Sequence, residues 1–199
     1  MRIGISGYMG AGKSTCTGQF RSPETLILDG DQEAKKLMQS DHRIQSALVS
    51  VFGKHIKKDS DLRFDQLAAE VFRNRDTLKL LNSIVHPNLI ERIRSLIFND
   101  SKPLCILDAA LIPLWHIESW FDHCIWIDVS FGTRFNRLKQ KREDLSDFEL
   151  KRRMQMQQQL FDVPRGQNWI RLPDKECSDF IRSILQKHHL DLFSPQRES

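Results

Sequence analysis

The 199-residue sequence contains no apolar run long enough to cross a membrane, and its start, MRIGISG, lacks the sustained apolar stretch of a signal peptide. Neither membrane insertion nor secretion is expected, and the sequon Asn99-Asp100-Ser101 means little in a chain that is not secreted. Cysteine is sparse and scattered. Cys16, Cys105, Cys124 and Cys177 include no C-x-x-C pair, so a disulfide framework and a zinc site are both unexpected. Cys105 and Cys124 fall inside apolar runs, where a thiol behaves as a small buried hydrophobe. A reducing, cytoplasmic home follows. No block of like charge is long enough for a nucleic-acid arm, and the formal charge of +4 is mild. Such a charge fits an anionic ligand as easily as a nucleic-acid surface; a small-molecule partner, with neither nucleic acid nor membrane, is the expectation once the motifs below are added. No internal repeat is present.

What the chain does have is alternation. Short apolar runs ending in small or polar residues read as strands at Arg2 to Ser6, Thr25 to Leu28, Leu104 to Leu107 and Cys124 to Ile127, with a weaker fifth at Trp169 to Leu172. Helix-length segments separate them, which predicts a parallel sheet with helices on both faces. The connection between the second and third runs is long and helical, with patterns at Leu67 to Arg73, Thr77 to Val85 and Asn88 to Phe98. Pro87 is placed at the first turn of the last of these, where its missing N–H costs nothing. This is the expected substrate lobe, about residues 60–100. A second polar segment, about residues 131–160, is rich in Arg, Lys and Gln and reads as a lid. Ser146 with Glu149 forms a capping-box pattern inside it. The tail Ser194 to Ser199 is expected to be disordered.

The sharpest signal is Gly7-Tyr8-Met9-Gly10-Ala11-Gly12-Lys13-Ser14, a complete G-x-x-x-x-G-K-[ST] pattern between a strand and a helix. Glycines let the backbone curl so that successive N–H groups converge on phosphate, and the helix start adds its positive dipole end. Gly10, Ala11, Gly12, Lys13, Ser14 and Thr15 are thus the expected ATP-binding residues. Lys13 supplies a point charge to the β- and γ-phosphates, and the Ser14 hydroxyl a ligand for Mg²⁺. The guanine-reading N-K-x-D and the switch string D-x-x-G are both absent, which argues against a GTPase.

In open α/β sheets ligands lie beyond the carboxyl ends of the strands. Asp108 follows LCIL and is placed to hold Mg²⁺. Asp29 and Asp31 lie two apart, a spacing that in extended backbone puts both on one face. One would take the proton of an attacking hydroxyl, the other position metal or substrate. Asp128 reads as structural. A transferring phosphoryl group needs positive charge around it, and Arg137 and Arg142 are placed to swing over the nucleotide. Arg134, Lys139 and Lys151 read as solvated helix charges.

Together these features resemble the dephospho-coenzyme A kinase family of nucleotide-kinase-like P-loop proteins, from Met1 to about Gln157. The residues that carry the likeness are GYMGAGKST, Asp29-Gly30-Asp31, then Leu67, Val71-Phe72, Leu81 and His86-Pro87. They continue through Asp108-Ala109-Ala110-Leu111-Ile112, Asp128-Val129-Ser130, Arg137, Arg142 and Gln157. The resemblance implies an α/β P-loop fold in three αβα layers with a five-stranded parallel sheet. It implies ATP and Mg²⁺ as cofactors and Asp31 as base for the ribose 3′-hydroxyl of dephospho-coenzyme A. Lys13 and Arg137 complete the catalytic set, Arg142 joins the ATP-binding residues, and Asp29, His86 and Asp108 contact substrate. Ser14 and Asp108 hold the metal, and the enzyme is a monomer or weak homo-oligomer.

Four positions depart from the family pattern: Ala110 replaces its proline, Leu114 an acidic residue and Phe64 an arginine, with Arg63 next door. Trp169-Ile170-Arg171-Leu172 lacks the asparagine that helps seat adenine. The changes bear on acceptor contacts and adenine recognition, not on phosphate binding. A kinase for another small alcohol or nucleoside, and a nucleotide-binding protein that has lost catalysis, are the alternative readings.

Overall fold

Each of the five apolar runs becomes a strand of one sheet, with the first run placed between the third and the fourth. The structure, a computed structural model, describes residues 1–188 and 190; the tail Ser194 to Ser199 lies outside them. In chain order the elements are β1 (Arg2–Ser6), α1 (Lys13–Thr17), β2 (Thr25–Asp29), α2 (Gly30–Ser40), α3 (His42–Phe52), β3 (Lys57–Lys58), β4 (Asp61–Leu62) and α4 (Phe64–Val71). They continue with α5 (Arg75–Asn99), β5 (Leu104–Asp108), α6 (Ile112–Trp115), β6 (His123–Ile127), α7 (Phe131–Lys141), α8 (Asp147–Gln158), β7 (Trp169–Leu172) and α9 (Asp174–Lys187). The chain divides into two compact units, Met1–Asp29 with the chain from Asp100 onward, and Gly30–Asn99.

In the first unit a five-stranded parallel sheet runs in the order β2-β5-β1-β6-β7 and is flanked by helices. Its central strands are apolar between their end residues because both faces are covered. Ile3, Ile5, Ile106, Ile125 and Ile127 are buried with Cys16 and Phe20 from the α1 side and Cys177, Ile181 and Leu185 from α9. The parallel register sets Asp29 opposite Asp108 at the carboxyl ends of β2 and β5. Contrary to the expectation from spacing, two cysteines are joined: Cys16 and Cys177 form a disulfide. Packing of α1 against α9 brings their Cα atoms to 6.3 Å, within the span a disulfide bridges. Cys105 and Cys124 are buried free thiols, as expected, and burial pushes them up to about 11 and about 12.

The second unit is helical apart from the β3–β4 hairpin, with α2 packed on α3 and α5, and α5 also on α3 and α4. It begins at Gly30, so α2 and α3 belong to it as well as residues 60–99. Here the sequence reading is corrected. Pro87 does not start a helix; α5 runs unbroken from Arg75 to Asn99 with Pro87 inside it. A proline interior to a helix costs about 3 kcal/mol. Leu78, Val85, Leu89, Ile93 and Ile97 are all buried, at helical spacing on both sides of it. At roughly 1.5–3 kcal/mol for each such side chain, that burial outweighs the lost hydrogen bond.

Candidate active site

The site grows from the end of β1. The chain leaves the strand at Ser6, turns with Ala11 N–H donating to the Tyr8 carbonyl at 3.1 Å, and enters α1 at Lys13. Gly12, at φ 99°, makes the entry, and its carbonyl accepts from the N–H groups of Thr15 and Cys16 at 3.1 and 3.0 Å. Strand, loop and helix follow in the order the motif requires. The Lys13 ammonium donates to the Gly7 carbonyl at 3.0 Å, across the loop. The Ser14 hydroxyl donates to Asp108 Oδ2 at 2.8 Å, so the last residue of the loop motif meets the carboxylate at the end of β5. Asp108 is buried.

A cleft of about 450 Å³ opens here, lined by Gly10, Gly12, Lys13, Ser14 and Thr15, by Arg137, Leu138, Gln140 and Lys141 from α7, and by Gln19, Cys16 and Asp174. The volume falls within the range of small-ligand sites. Ser130 caps α7 by accepting from Thr133 N–H at 3.2 Å, which aims the helix from β6 past the loop. On α7, Arg137 donates through Nη2 to Asp174 at 2.7 Å and lies 3.5 Å from the Ala11 carbonyl through Nη1. Ser146 caps α8 as the pattern predicts, accepting from Glu149 N–H at 3.2 Å. The Glu149 carboxylate is occupied by Arg152 and Arg153. From α8, Gln157 Oε1 accepts from the loop N–H of Met9 at 2.7 Å, so the segment after β6 is fastened to the loop at both its helices.

Three residues stand in surroundings other than those the sequence suggests. Arg134, read as a solvated charge, is 1% exposed. Its Nε and Nη1 donate to the carbonyls of Val129 and Met9 at 3.1 and 3.3 Å, and its guanidinium stacks over Tyr8 at 5.1 Å. Burial lowers its pKa. Arg142, expected over the nucleotide, ends α7 in a two-pronged pair with Asp144 at 2.8 and 2.7 Å and is not on the cleft lining. Asp31 stands in the first turn of α2, not in extended backbone. The shared face expected for Asp29 and Asp31 therefore does not form: a helix begins directly at Gly30, where first-turn carboxylates favour it.

Asp31 and His86 both belong to the second unit. His86 lies in the middle of α5, and burial pulls its imidazole down to about 4, so it is neutral near pH 7. Asp128, read as structural, pairs with Arg171. Sequence reasoning missed Asp174 altogether. It follows β7 closely, the same strand-end carboxylate pattern that singled out Asp108, and that rule would have found it.

The model of the dephospho-CoA kinase family matches residues 1–165. The chain belongs to the dephospho-CoA kinase family. It is accordingly a P-loop phosphotransferase of coenzyme A biosynthesis. A dephospho-CoA kinase of Corynebacterium glutamicum is 33% identical over 162 residues, covering 79% of this chain and 82% of that protein. Another from Coxiella burnetii is 28% identical and covers 94% and 92%. Among solved structures, TT1252 from Thermus thermophilus superposes with a TM-score of 0.67 at 22% identity, covering 94% of this chain and 97% of that one. The dephospho-CoA kinase from Campylobacter jejuni gives 0.53 at 19%, covering 94% and 98%. At these identities the structural matches speak for the fold, which they share.

Proposed function

We propose that this chain transfers the γ-phosphoryl group of ATP to the ribose 3′-hydroxyl of dephospho-coenzyme A, giving coenzyme A and ADP. The observation that carries the residue assignments is the meeting of Lys13, Arg137 and Ser14, the last bonded to Asp108, at one cleft of small-ligand size in a chain of this family. The loop amides from Gly10 to Thr15 and the Lys13 ammonium bind polyphosphate. Arg137 faces the charge that develops on the transferring group. Asp31 accepts the hydroxyl proton, and His86, neutral, contacts the acceptor together with Asp29. Residues 60–100 serve the acceptor, and residues 131–160 cover the nucleotide. Arg142 reaches the nucleotide only after leaving Asp144.

The residues also fit a magnesium ion. A hydroxyl and a carboxylate oxygen 2.8 Å apart are hard donors of the type magnesium takes alongside phosphate and water. Ser14 and Asp108 would hold it, and it would neutralise phosphate charge. The reading further makes the enzyme a cytoplasmic monomer or weak homo-oligomer acting on small molecules, without nucleic acid or membrane. Among the described residues no helix is long and apolar enough to cross a membrane, and the formal net charge is a mild +4.

A coupled ADP-release assay across dephospho-coenzyme A, adenosine and sugars tests the proposal. Turnover with dephospho-coenzyme A alone is expected. Turnover of another acceptor instead, or ATP binding with no turnover, would overturn it.

A further inference from the structure

A site for polyphosphate is a poor place for a carboxylate, yet Asp174 is on the lining of the loop cleft and is its sole acidic member among the described residues. Unneutralised, it would repel the ligand. It is neutralised: Arg137 Nη2 stands 2.7 Å from Asp174 Oδ2, with both side chains about one-third exposed or less. The pair sits directly at the phosphate loop, since a Cβ built on Gly12 would come within 3.5 Å of Asp174 Cβ and 3.7 Å of Arg137 Nη1.

We propose that Asp174 is the positioning residue for Arg137, fixing the guanidinium at the loop so that its remaining N–H groups face the transferring phosphoryl. The inference rests on the assignment of Arg137 made above. A guanidinium carries five N–H donors in a rigid fork. Asp174 takes one, and the Ala11 carbonyl, 3.5 Å from Nη1, stands at the other prong. Free of such partners, a partly exposed arginine spends its time among many rotamers, and each transfer would have to collect it.

The carboxylate is itself well anchored. Asp174 opens α9 directly after Pro173, and Cys177, three residues on, is bonded to Cys16 of α1. The helix that begins at Lys13 and the helix that bears Asp174 are thereby one rigid support, the arrangement that holds a catalytic side chain to fractions of an ångström. A negative charge at the start of α9 would be satisfied by the helix dipole in any rotamer. The dipole does not explain why the carboxylate points at Arg137.

Steady-state kinetics on Asp174→Asn, Asp174→Glu, Arg137→Ala and the double variant Asp174→Asn with Arg137→Ala provide the test. Misplacing a group by about 1 Å costs about 100-fold. Accordingly, Asp174→Asn should lower kcat by about 10- to 100-fold while KM for ATP moves less than about threefold. Asp174→Glu should recover part of the loss, and the double variant should be no slower than Arg137→Ala alone. A carboxylate that merely repels nucleotide predicts the opposite, a lower KM for ATP with kcat retained in Asp174→Asn, and that result overturns the inference. Slow turnover in Arg137→Ala with normal kcat in Asp174→Asn overturns the role of Asp174 alone. Normal kcat in Arg137→Ala overturns the assignment of Arg137, and the inference falls with it. Circular dichroism checks folding, and Asp174→Ser, which keeps a helix-starting residue, replaces the amide variant if that one does not fold.

Discussion

Gly10→Ala and Gly12→Ala add the same methyl group to the same loop and should differ in cost for a reason visible in the structure. Both residues lie in the left-handed region, at φ 78° and 99°, so each alanine incurs about 1–2 kcal/mol of backbone strain. The surroundings are unlike. A Cβ at Gly10 would meet the Arg134 carbonyl oxygen at 2.9 Å and Leu138 Cγ and Cδ1 at 3.0 Å, whereas at Gly12 the nearest atoms stand at 3.5 Å or beyond. The Arg134 oxygen is backbone of α7 and cannot swing aside, so the loop or the helix must move, at about 1–3 kcal/mol. Backbone strain cancels in the comparison, leaving Gly10→Ala less stable than Gly12→Ala by about 1–3 kcal/mol. For a chain of this length, with roughly 2–4 °C per kcal/mol, a middle value of about 2 kcal/mol separates the two melting temperatures by about 4–8 °C. Differential scanning calorimetry on the two variants measures it. Equal melting temperatures, or Gly12→Ala the lower, would refute the packing of the loop against α7.

Opening the Cys16–Cys177 bond, which spans a sequence separation of 161, frees chain entropy in the unfolded state equivalent to about 5 kcal/mol. Full reduction, verified by thiol titration, should therefore lower the melting temperature by about 10 °C or more, and no change would refute the bond's contribution. His86 has a folded pKa of about 4 against about 6.5 unfolded, so protons favour the unfolded chain. The penalty is absent above about pH 6.5 and grows as pH falls towards 4, reaching about 3 kcal/mol at about 1.4 kcal/mol per pH unit. In urea titrations His86→Gln should flatten that part of the stability curve; a curve parallel to wild type would contradict it. Asp31→Asn should lower kcat by about 100-fold or more while ATP affinity, read by titration, stays within about threefold. Full turnover in that variant removes Asp31 as the base.

Much of this architecture was legible because the parallel sheet leaves a direct signature. Strands buried on both faces must be apolar through their middles, and the runs Leu104 to Leu107 and Cys124 to Ile127 fall within β5 and β6, each one residue short of the strand at one end. The loop motif was legible for the same reason, since few other backbones need glycine, lysine and serine in that order between strand and helix. Pro87 was misread because local rules see only its missing N–H, while the stripe of buried side chains on both sides of it lies beyond any short window. The Asp29 and Asp31 geometry was misread because strand spacing was extended two residues too far, across Gly30 to Asp31 in α2.

What escaped entirely was non-local pairing. Cys16 and Cys177 are joined only because α1 and α9 pack together, and nothing in their spacing announces it. Arg134 looks like any basic residue of an amphipathic helix, and its burial on Tyr8 and the Met9 carbonyl depends on where α7 crosses the loop. Arg142 carried its partner two residues away, and a local Asp144 is a better-placed acceptor than a distant ligand. Sequence thus located the glycine-rich loop and the strand-end carboxylate beside it. Which cations stand near that loop was decided by tertiary packing.

On the function proposed above, the main-chain amides of residues 10–15 and the Lys13 ammonium hold polyphosphate. Isothermal titration of ATP with magnesium into the intact protein and into Lys13→Ala decides the matter. Removing one charge-assisted contact of about 1.5–3 kcal/mol should weaken binding by about 10- to 100-fold, while loss of the Lys13–Gly7 hydrogen bond, at about 1 kcal/mol, lowers the melting temperature without nucleotide by only about 2–4 °C. Equal affinity in the two proteins, or no affinity in the wild type, would contradict it.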